Sequence, residues 1–410
     1  MFSFLLRAPA LALALLAFAA HAEPLSFEQA LSLAAQRSEA ARASRAAAQS
    51  ATESSRAAGQ LPDPMLHAGI DSLPATGPDR FNASRDFMTM KRIGISQEWV
   101  PADKRAARAA ASTAMAERDA VRARAAESAA RLQAANAYLD AWYADAALQL
   151  TTQNEHHVHE ELAAARGRLA AAAGSSAEVL QLASAQGLAE DESDEARQQQ
   201  ASAFVALQRW VGIRPDAVGA LPTVNAPLEQ DFIERSPEVV ALQREVEVAR
   251  RNAAVTAKER TANWTWQVSY AQRSGYSDMV SIGVNIPLQI APEQRQDRQT
   301  AAQLALVDQA EAQLAEASRA ALGEYQTLAS DAARLAQRIE RFRTSVIVLA
   351  QQRTQAALAA YRSSQSPLSA LFEARHMEVE VRRKLLALQR DLAKVQIQLA
   401  FKPLALGDVQ

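Results

Sequence analysis

The clustered histidines of the chain lie in Asn154-Glu155-His156-His157-Val158-His159-Glu160-Glu161. His156 and His159 stand three apart and Glu160 follows His156 by four, so on a helix these groups share a face. Neutral imidazoles with a carboxylate suit zinc, copper or nickel, although two ligands on one helix hold a metal weakly without a third. The competing reading is a solvated helix face. Met88 and Met90 offer thioethers to a soft cation such as Cu(I), against a simpler role in packing strand ends. The acidic run Asp191-Glu192-Ser193-Asp194-Glu195 could draw cations along a tunnel, but such a run is usually a solvated face. There is no P-loop, nucleophile elbow, zincin helix or dinucleotide fingerprint. The sequence therefore reads as a non-enzyme and implies no cofactor.

The elements that would position these residues come in two copies. Residues 90–108, MKRIGISQEWVPADKRAAR, and 279–298, MVSIGVNIPLQIAPEQRQDR, each read as a strand, a proline and the start of a long helix. They lie about 190 residues apart, which points to duplication. Arg105 and Arg108 answer Arg295 and Arg298 with a one-residue slip. Ile93, Ile95 and Trp99 alternate with Gly94, Ser96 and Glu98; Val280, Ile282 and Val284 alternate with Ser281, Gly283 and Asn285. Period two with one apolar face predicts half-buried strands over about 90–100 and 279–288. Their hairpin partners are expected over about 65–71, through Leu66, Ala68 and Ile70, and over about 263–271, through Trp264, Trp266, Val268 and Tyr270. The aromatics of the second hairpin gather at one end, as in an interfacial belt.

A helix is expected from the Ser26/Gln29 capping box to about Gly59. Two far longer helical stretches follow the hairpins, over 102–173 and 293–361, each roughly 100 Å long. In the second, Leu304, Val307, Leu314, Ala321, Tyr325, Leu328, Ala332, Leu335, Ile339, Phe342, Val346 and Leu349 keep one coiled-coil phase. Leu132, Asn136, Leu139, Tyr143, Ala146 and Leu150 do the same in the first. The breaks at Ala173-Gly174-Ser175-Ser176 and at Arg362-Ser363-Ser364-Gln365-Ser366-Pro367 turn the chain into returning helices over 177–211 and 368–400. The predicted organisation is a signal peptide (1–22), a first repeat (23–211), a Pro/Gly-rich linker (212–230), a second repeat (231–401) and a C-terminal tail (402–410).

Composition agrees with long helices: the 410-residue chain is rich in Ala, Gln, Arg, Glu and Leu, with 13 Gly and 5% aromatic residues. A net charge of −2 gives no field that would attract nucleic acid. Arg7, the Leu/Ala run over 11–20 and Ala20-His21-Ala22 form an export signal. No later segment can span a membrane as a helix, so a membrane protein built from this chain would cross as strands. With no cysteine, disulfides and a thiolate metal site are excluded. Four strands cannot close a barrel and open sheet edges are not tolerated in lipid, so further copies of the chain would have to complete the sheet.

With these paired helices, doubled strand-proline-helix elements and tips near Gly174 and Gln365, the mature chain resembles the TolC family of outer-membrane efflux ducts over essentially its whole length. The block GQLPDPMLHAGIDSLPATGPDRFNASRDFMTMKRIGISQEW is similar to the heavy-metal (CzcC/CusC-type) branch. The fold class expected is mainly α with a small membrane β part: duplicated coiled-coil hairpins and two β-hairpins in a trimeric α/β barrel. The resemblance implies a homotrimer with a twelve-stranded barrel in outer-membrane lipid and a helical tunnel in the periplasm. It implies as partners a periplasmic adaptor (membrane-fusion) protein and a proton-driven RND pump of the inner membrane. It implies passive export of cargo, with heavy-metal cations such as copper/silver or cobalt/zinc/cadmium expected. Many CusC-type members carry a lipidated cysteine; this chain has none, which leaves anchoring to the barrel.

The family's helical tips are where adaptor hairpins dock, which assigns that role to Gly174, Ser175, Ser176, Ser364, Gln365, Ser366 and Pro367. Glu178 and Tyr361 match a gate-linking acid and tyrosine. Ser366 stands where a gating arginine belongs, so the basic partner is missing or shifted to Arg362. The competing reading has Glu178 capping a helix start and Tyr361 packing a last turn. Two other functions stay open: a periplasmic coiled-coil adaptor or scaffold, and a duct for drugs or other small molecules.

Overall fold

A computed structural model describes residues 24–405. The expected export signal and the last five residues of the expected tail lie outside them. The chain begins with α1 (Phe27–Arg37) and α2 (Glu39–Ala57), where one helix was expected. Ser38 separates them: its N–H still donates to Ala34 O, while its own side chain accepts from Ala41 N and starts the next helix. The Ser26/Gln29 capping box is formed in both directions.

Four strands follow in two hairpins: β1 (Met65–Asp71) with β2 (Met90–Trp99), and β3 (Trp264–Arg273) with β4 (Met279–Asn285). They make one antiparallel sheet in the order β1-β2-β3-β4, because β2 of the first copy pairs with β3 of the second. The register sets Leu66 against Ile95, Ile95 against Val268, and Val268 against Ile282. The apolar sides of all four strands therefore share one face. Half-burial was expected of it; within the chain it is uncovered, with Ile93 52% and Ile282 78% exposed. The opposite face carries His67, Gly94, Ser96, Gln267 and Asn285. There His67 Nε2 and Ser96 Oγ lie 2.7 Å apart.

From the sheet, α3 (Ala102–Ala170) runs 69 residues, about 100 Å, to the first tip. It returns as α4 (Ser176–Val211), which ends on Gly212 at φ 75°. Residues 213–228 do not hang free. Leu25 N donates to Ala217 O, Gly219 N donates to Leu25 O, and the Tyr138 hydroxyl donates to Leu25 O at 3.1 Å. This strap covers a core of Phe27, Tyr138, Leu207, Val211 and Ile397, with the Phe27 and Tyr138 rings edge-on at 5.4 Å. Next come the short α5 (Glu229–Glu234) and α6 (Pro237–Lys258), which leads to β3.

The second long helix departs from the unbroken seam expected of it. It consists of α7 (Gln296–Arg341), a π turn (Phe342–Val346) and α8 (Ile347–Arg362), before α9 (Leu368–Phe401) returns. Ile347 N donates to Phe342 O, the i to i+5 bond of a π turn. Val307, Leu328 and Ile339 are buried as expected. Beyond the turn the phase slips by one residue: Leu349 is 60% exposed and Ala350 takes the seam at 8%. Leu304, at the sheet end, is also exposed. Among the described residues no helix is long and apolar enough to cross a membrane.

Candidate functional site

The two tips are built by one turn used twice. At the first, Ala172 N donates to Leu169 O and Ala173 N to Arg168 O; at the second, Ser364 N donates to Tyr361 O and Gln365 N to Ala360 O. These paired bonds are the Schellman ending of a helix, and its C′ residue is left-handed. Ala172 and Ser364 hold that position, each at φ 57°, without the glycine that would adopt it freely. The first turn also closes tightly on Gly174, where a Cβ would meet Leu169 N at 2.8 Å. Ser175 then caps α4 by accepting from Ala177 N.

These turns bring three polar side chains together at the tips. Tyr361, in the last turn of α8, donates its hydroxyl to Glu178 Oε1 at 2.7 Å. Glu178 lies in the first turn of α4. Arg168 Nη2, from the last turn of α3, bonds the same carboxylate oxygen and reaches the Tyr361 hydroxyl at 2.7 Å. Its guanidinium also stands 5.9 Å from the centre of the Tyr361 ring. Hydrogen bonding from Tyr361 holds the Glu178 carboxyl below its ordinary range; burial opposes this and Arg168 reinforces it. Burial, then the bond to Glu178, pushes the Tyr361 phenol up, so it remains a neutral donor. Beneath the triad Leu162, Ala165, Leu182, Leu368 and Leu371 form an apolar core shared by both hairpins.

The basic partner of the Glu178–Tyr361 pair is thus Arg168, and the shift to Arg362 is corrected. Arg362 follows Tyr361 by one residue, is turned about 100° around the helix and is exposed. A signal for Arg168 was present: it precedes the break at Ala173 by as many residues as Glu178 follows it, and a helical hairpin brings such positions together. Gly174, Ser175, Ser364, Gln365 and Pro367 lie in or beside the turns; Ser176 begins α4, and Ser366 is half-buried.

The histidines do not converge on a metal geometry. His156 Nε2 lies 3.3 Å from Glu160 Oε1 and His157 Nδ1 lies 3.8 Å from Oε2, all three side chains being exposed. His159, expected beside them, is exposed and does not join that contact. Among the described residues no group of three such ligands could hold a metal ion. The acidic run is interleaved with cations: Arg197 bonds Asp194 and Glu155, Arg383 lies 3.9 Å from Glu195, and His376 lies 3.7 Å from Glu192. Met88 is exposed in the loop before β2.

A second polar constellation, unforeseen from sequence, sits where strands hand over to helices. Lys104 is 1% exposed, and its Nζ donates to Glu259 Oε2 at 2.9 Å, Thr261 O at 2.8 Å and Asn263 Oδ1 at 3.0 Å. All three ammonium protons are matched. Arg108 adds a bond to Glu259, and Asn263 donates to Glu98 on β2 at 2.7 Å. Burial raises the Glu259 pKa, but Lys104 and Arg108 outweigh it and the net shift is downward. The constellation ties the first copy to the second. Its signal was a lysine in the first turn of a helix, where the dipole disfavours a cation.

No protein-family model matches the chain, and no curated protein matches it. Solved structures match its fold closely. CusC, whose crystal structures concern folding and transmembrane channel formation, aligns at 16% identity over 92% of this chain and 91% of its own, with a TM-score of 0.76. The outer membrane protein VceC of Vibrio cholerae aligns at 18% identity over 91% and 94%, with a TM-score of 0.73. The CmeC outer membrane channel of Campylobacter jejuni aligns at 12% identity over 92% and 85%, with a TM-score of 0.75. The chain has the fold of these outer-membrane proteins.

Proposed function

We propose that the protein is the outer-membrane duct of a tripartite efflux system: a homotrimer whose sheets close into a barrel in lipid and whose helices extend as a tunnel into the periplasm. The four-stranded sheet carries this reading. One face is apolar and uncovered, the other polar, and β1 and β4 are open edges. In water such a sheet invites aggregation; in lipid it is stable only when its edges are closed. Copies of the chain meeting edge to edge would satisfy both demands, with Ile93, Val268 and Ile282 toward lipid and His67, Ser96 and Gln267 toward a wet lumen.

The far ends of the long helices are then the entrance. The turns around Gly174, Ser175, Ser176, Ser364, Gln365, Ser366 and Pro367 receive the periplasmic adaptor, which connects to an RND pump. The Arg168–Glu178–Tyr361 triad is the latch that holds the two hairpins together and narrows the passage. Cargo moves passively. We assign it to heavy-metal cations on the resemblance of residues 59–99 to the metal branch.

Purified protein in planar bilayers tests the duct and its latch. Wild type is expected to form channels of low conductance, and Glu178→Ala combined with Tyr361→Phe to raise single-channel conductance several-fold. Equal conductance would remove the latch; a soluble monomer that forms no channel would remove the duct.

A further inference from the structure

The π turn at Phe342–Val346 does more than interrupt a helix. A regular 3-4 alternation continued from Phe342 and Val346 would bring Leu349, Arg353, Ala356 and Ala360 into the seam. In the structure Leu349, Arg353 and Ala356 are exposed. The seam is made one residue later by Ala350, by Thr354, whose hydroxyl donates to Ala374 O of α9 at 3.2 Å, and by Ala357 and Tyr361 in the tip core. The extra residue held in the turn is therefore what aims Tyr361, instead of Ala360, at Glu178 and Arg168.

The surroundings leave room for the other register. A cavity of about 280 Å³ lies between α3, α8 and α9, lined by Leu150, Asn154, His157, Thr354, Arg375 and Val379 among others. The other register would replace Ala350 by the larger, now exposed Leu349. It would put Arg353 in place of Thr354, where Glu373 of α9 already lies 3.9 Å from the Arg353 guanidinium. Meanwhile α9 is tied to the first hairpin independently of α8, through Arg375 to Glu161, His376 to Glu192 and Arg383 to Glu195. Rotation of α8 would leave those links in place.

We infer that the π turn is a register switch for the latch, resting on the latch reading above. With the extra residue held in the turn, Tyr361 closes the triad. When the turn relaxes to regular α-helix, α8 rotates by about 100°, Leu349 enters the seam and Tyr361 leaves Glu178. The tips are thereby released by a rotation of one helix about its own axis.

The cysteine-free chain allows a direct test by thiol labelling of detergent-solubilised protein, which reads the register whether or not the protein conducts. A single cysteine at Ala350 is expected to be protected. In the latch-broken background, Glu178→Gln with Tyr361→Phe, it is expected to label about tenfold faster, while a cysteine at Leu349 labels more slowly. Deleting Thr344 removes the extra residue yet keeps Ala350, Thr354 and Tyr361 in phase. In that background breaking the latch is expected to leave a cysteine at Ala350 protected. Deletion of the exposed Ser345 serves if loss of Thr344 prevents folding, as judged by helix content and melting. An unchanged rate at Ala350 when the latch is broken, an equal rise in the deletion background, or faster labelling at both 349 and 350 would overturn the switch.

Discussion

At the scale of single residues, two polar clusters do different work. Lys104 has no access to water, so removing its charge would leave the Thr261 carbonyl and the Asn263 amide oxygen without their donor and Glu259 with Arg108 alone. Breaking a buried pair costs about 3–5 kcal/mol, and the solvent still open to Glu259 lowers the expectation for Lys104→Met to about 2–3 kcal/mol, measured by denaturant unfolding in detergent. The triad, in contrast, is half-open to solvent and responds to pH. Because the Glu178 pKa is depressed, its contribution is complete above the ordinary glutamate value of about 4.3 and is lost as pH falls through the lower folded value. Channel conductance should therefore rise only as pH falls below the ordinary glutamate range, and Glu178→Gln should abolish that rise. Ala172 and Ser364 carry left-handed backbone that glycine adopts at lower cost. Ala172→Gly with Ser364→Gly should stabilise the tips by about 1 kcal/mol per site, seen as a raised melting temperature with the latch intact.

At the scale of elements, what was legible depended on whether the signal was local. The strands could be read because alternation at Ile93, Ile95, Val268 and Ile282 needs no knowledge of the partner. The long helices could be read from their seam. The break at Ser38 was missed because one serine both ends α1 and caps α2, and the surrounding composition stays helical. The π turn was missed because an extra residue in a helix leaves the heptad looking continuous; only the reversed burial of Leu349 and Ala350 exposes it. The site was half legible: Glu178 and Tyr361 are recognisable by position, whereas Arg168 belongs to them only through the pairing of α3 with α4. Ion pairs across hairpins, such as Lys104 with Glu259, leave no periodic trace at all.

At the scale of the molecule, the chain is held as one unit at three heights: by the shared sheet, by the strap of residues 213–228 over Leu25 and Tyr138, and by the tip core. Of these, the pairing of β2 with β3 has a further consequence. The two halves are similar but not interchangeable: one brings Arg168 and Glu178 to the tips, the other Tyr361 and the π turn. Separate half-length subunits could assemble around a ring in any order, and a half meeting its own kind would lack a complementary side chain. Joining the halves covalently, and pairing them strand to strand inside each chain, writes strict alternation into any closed ring of copies. Every seam inside a protomer is then of one kind and every seam between protomers of another, so in the proposed ring the Arg168–Glu178–Tyr361 contact recurs at the first kind alone.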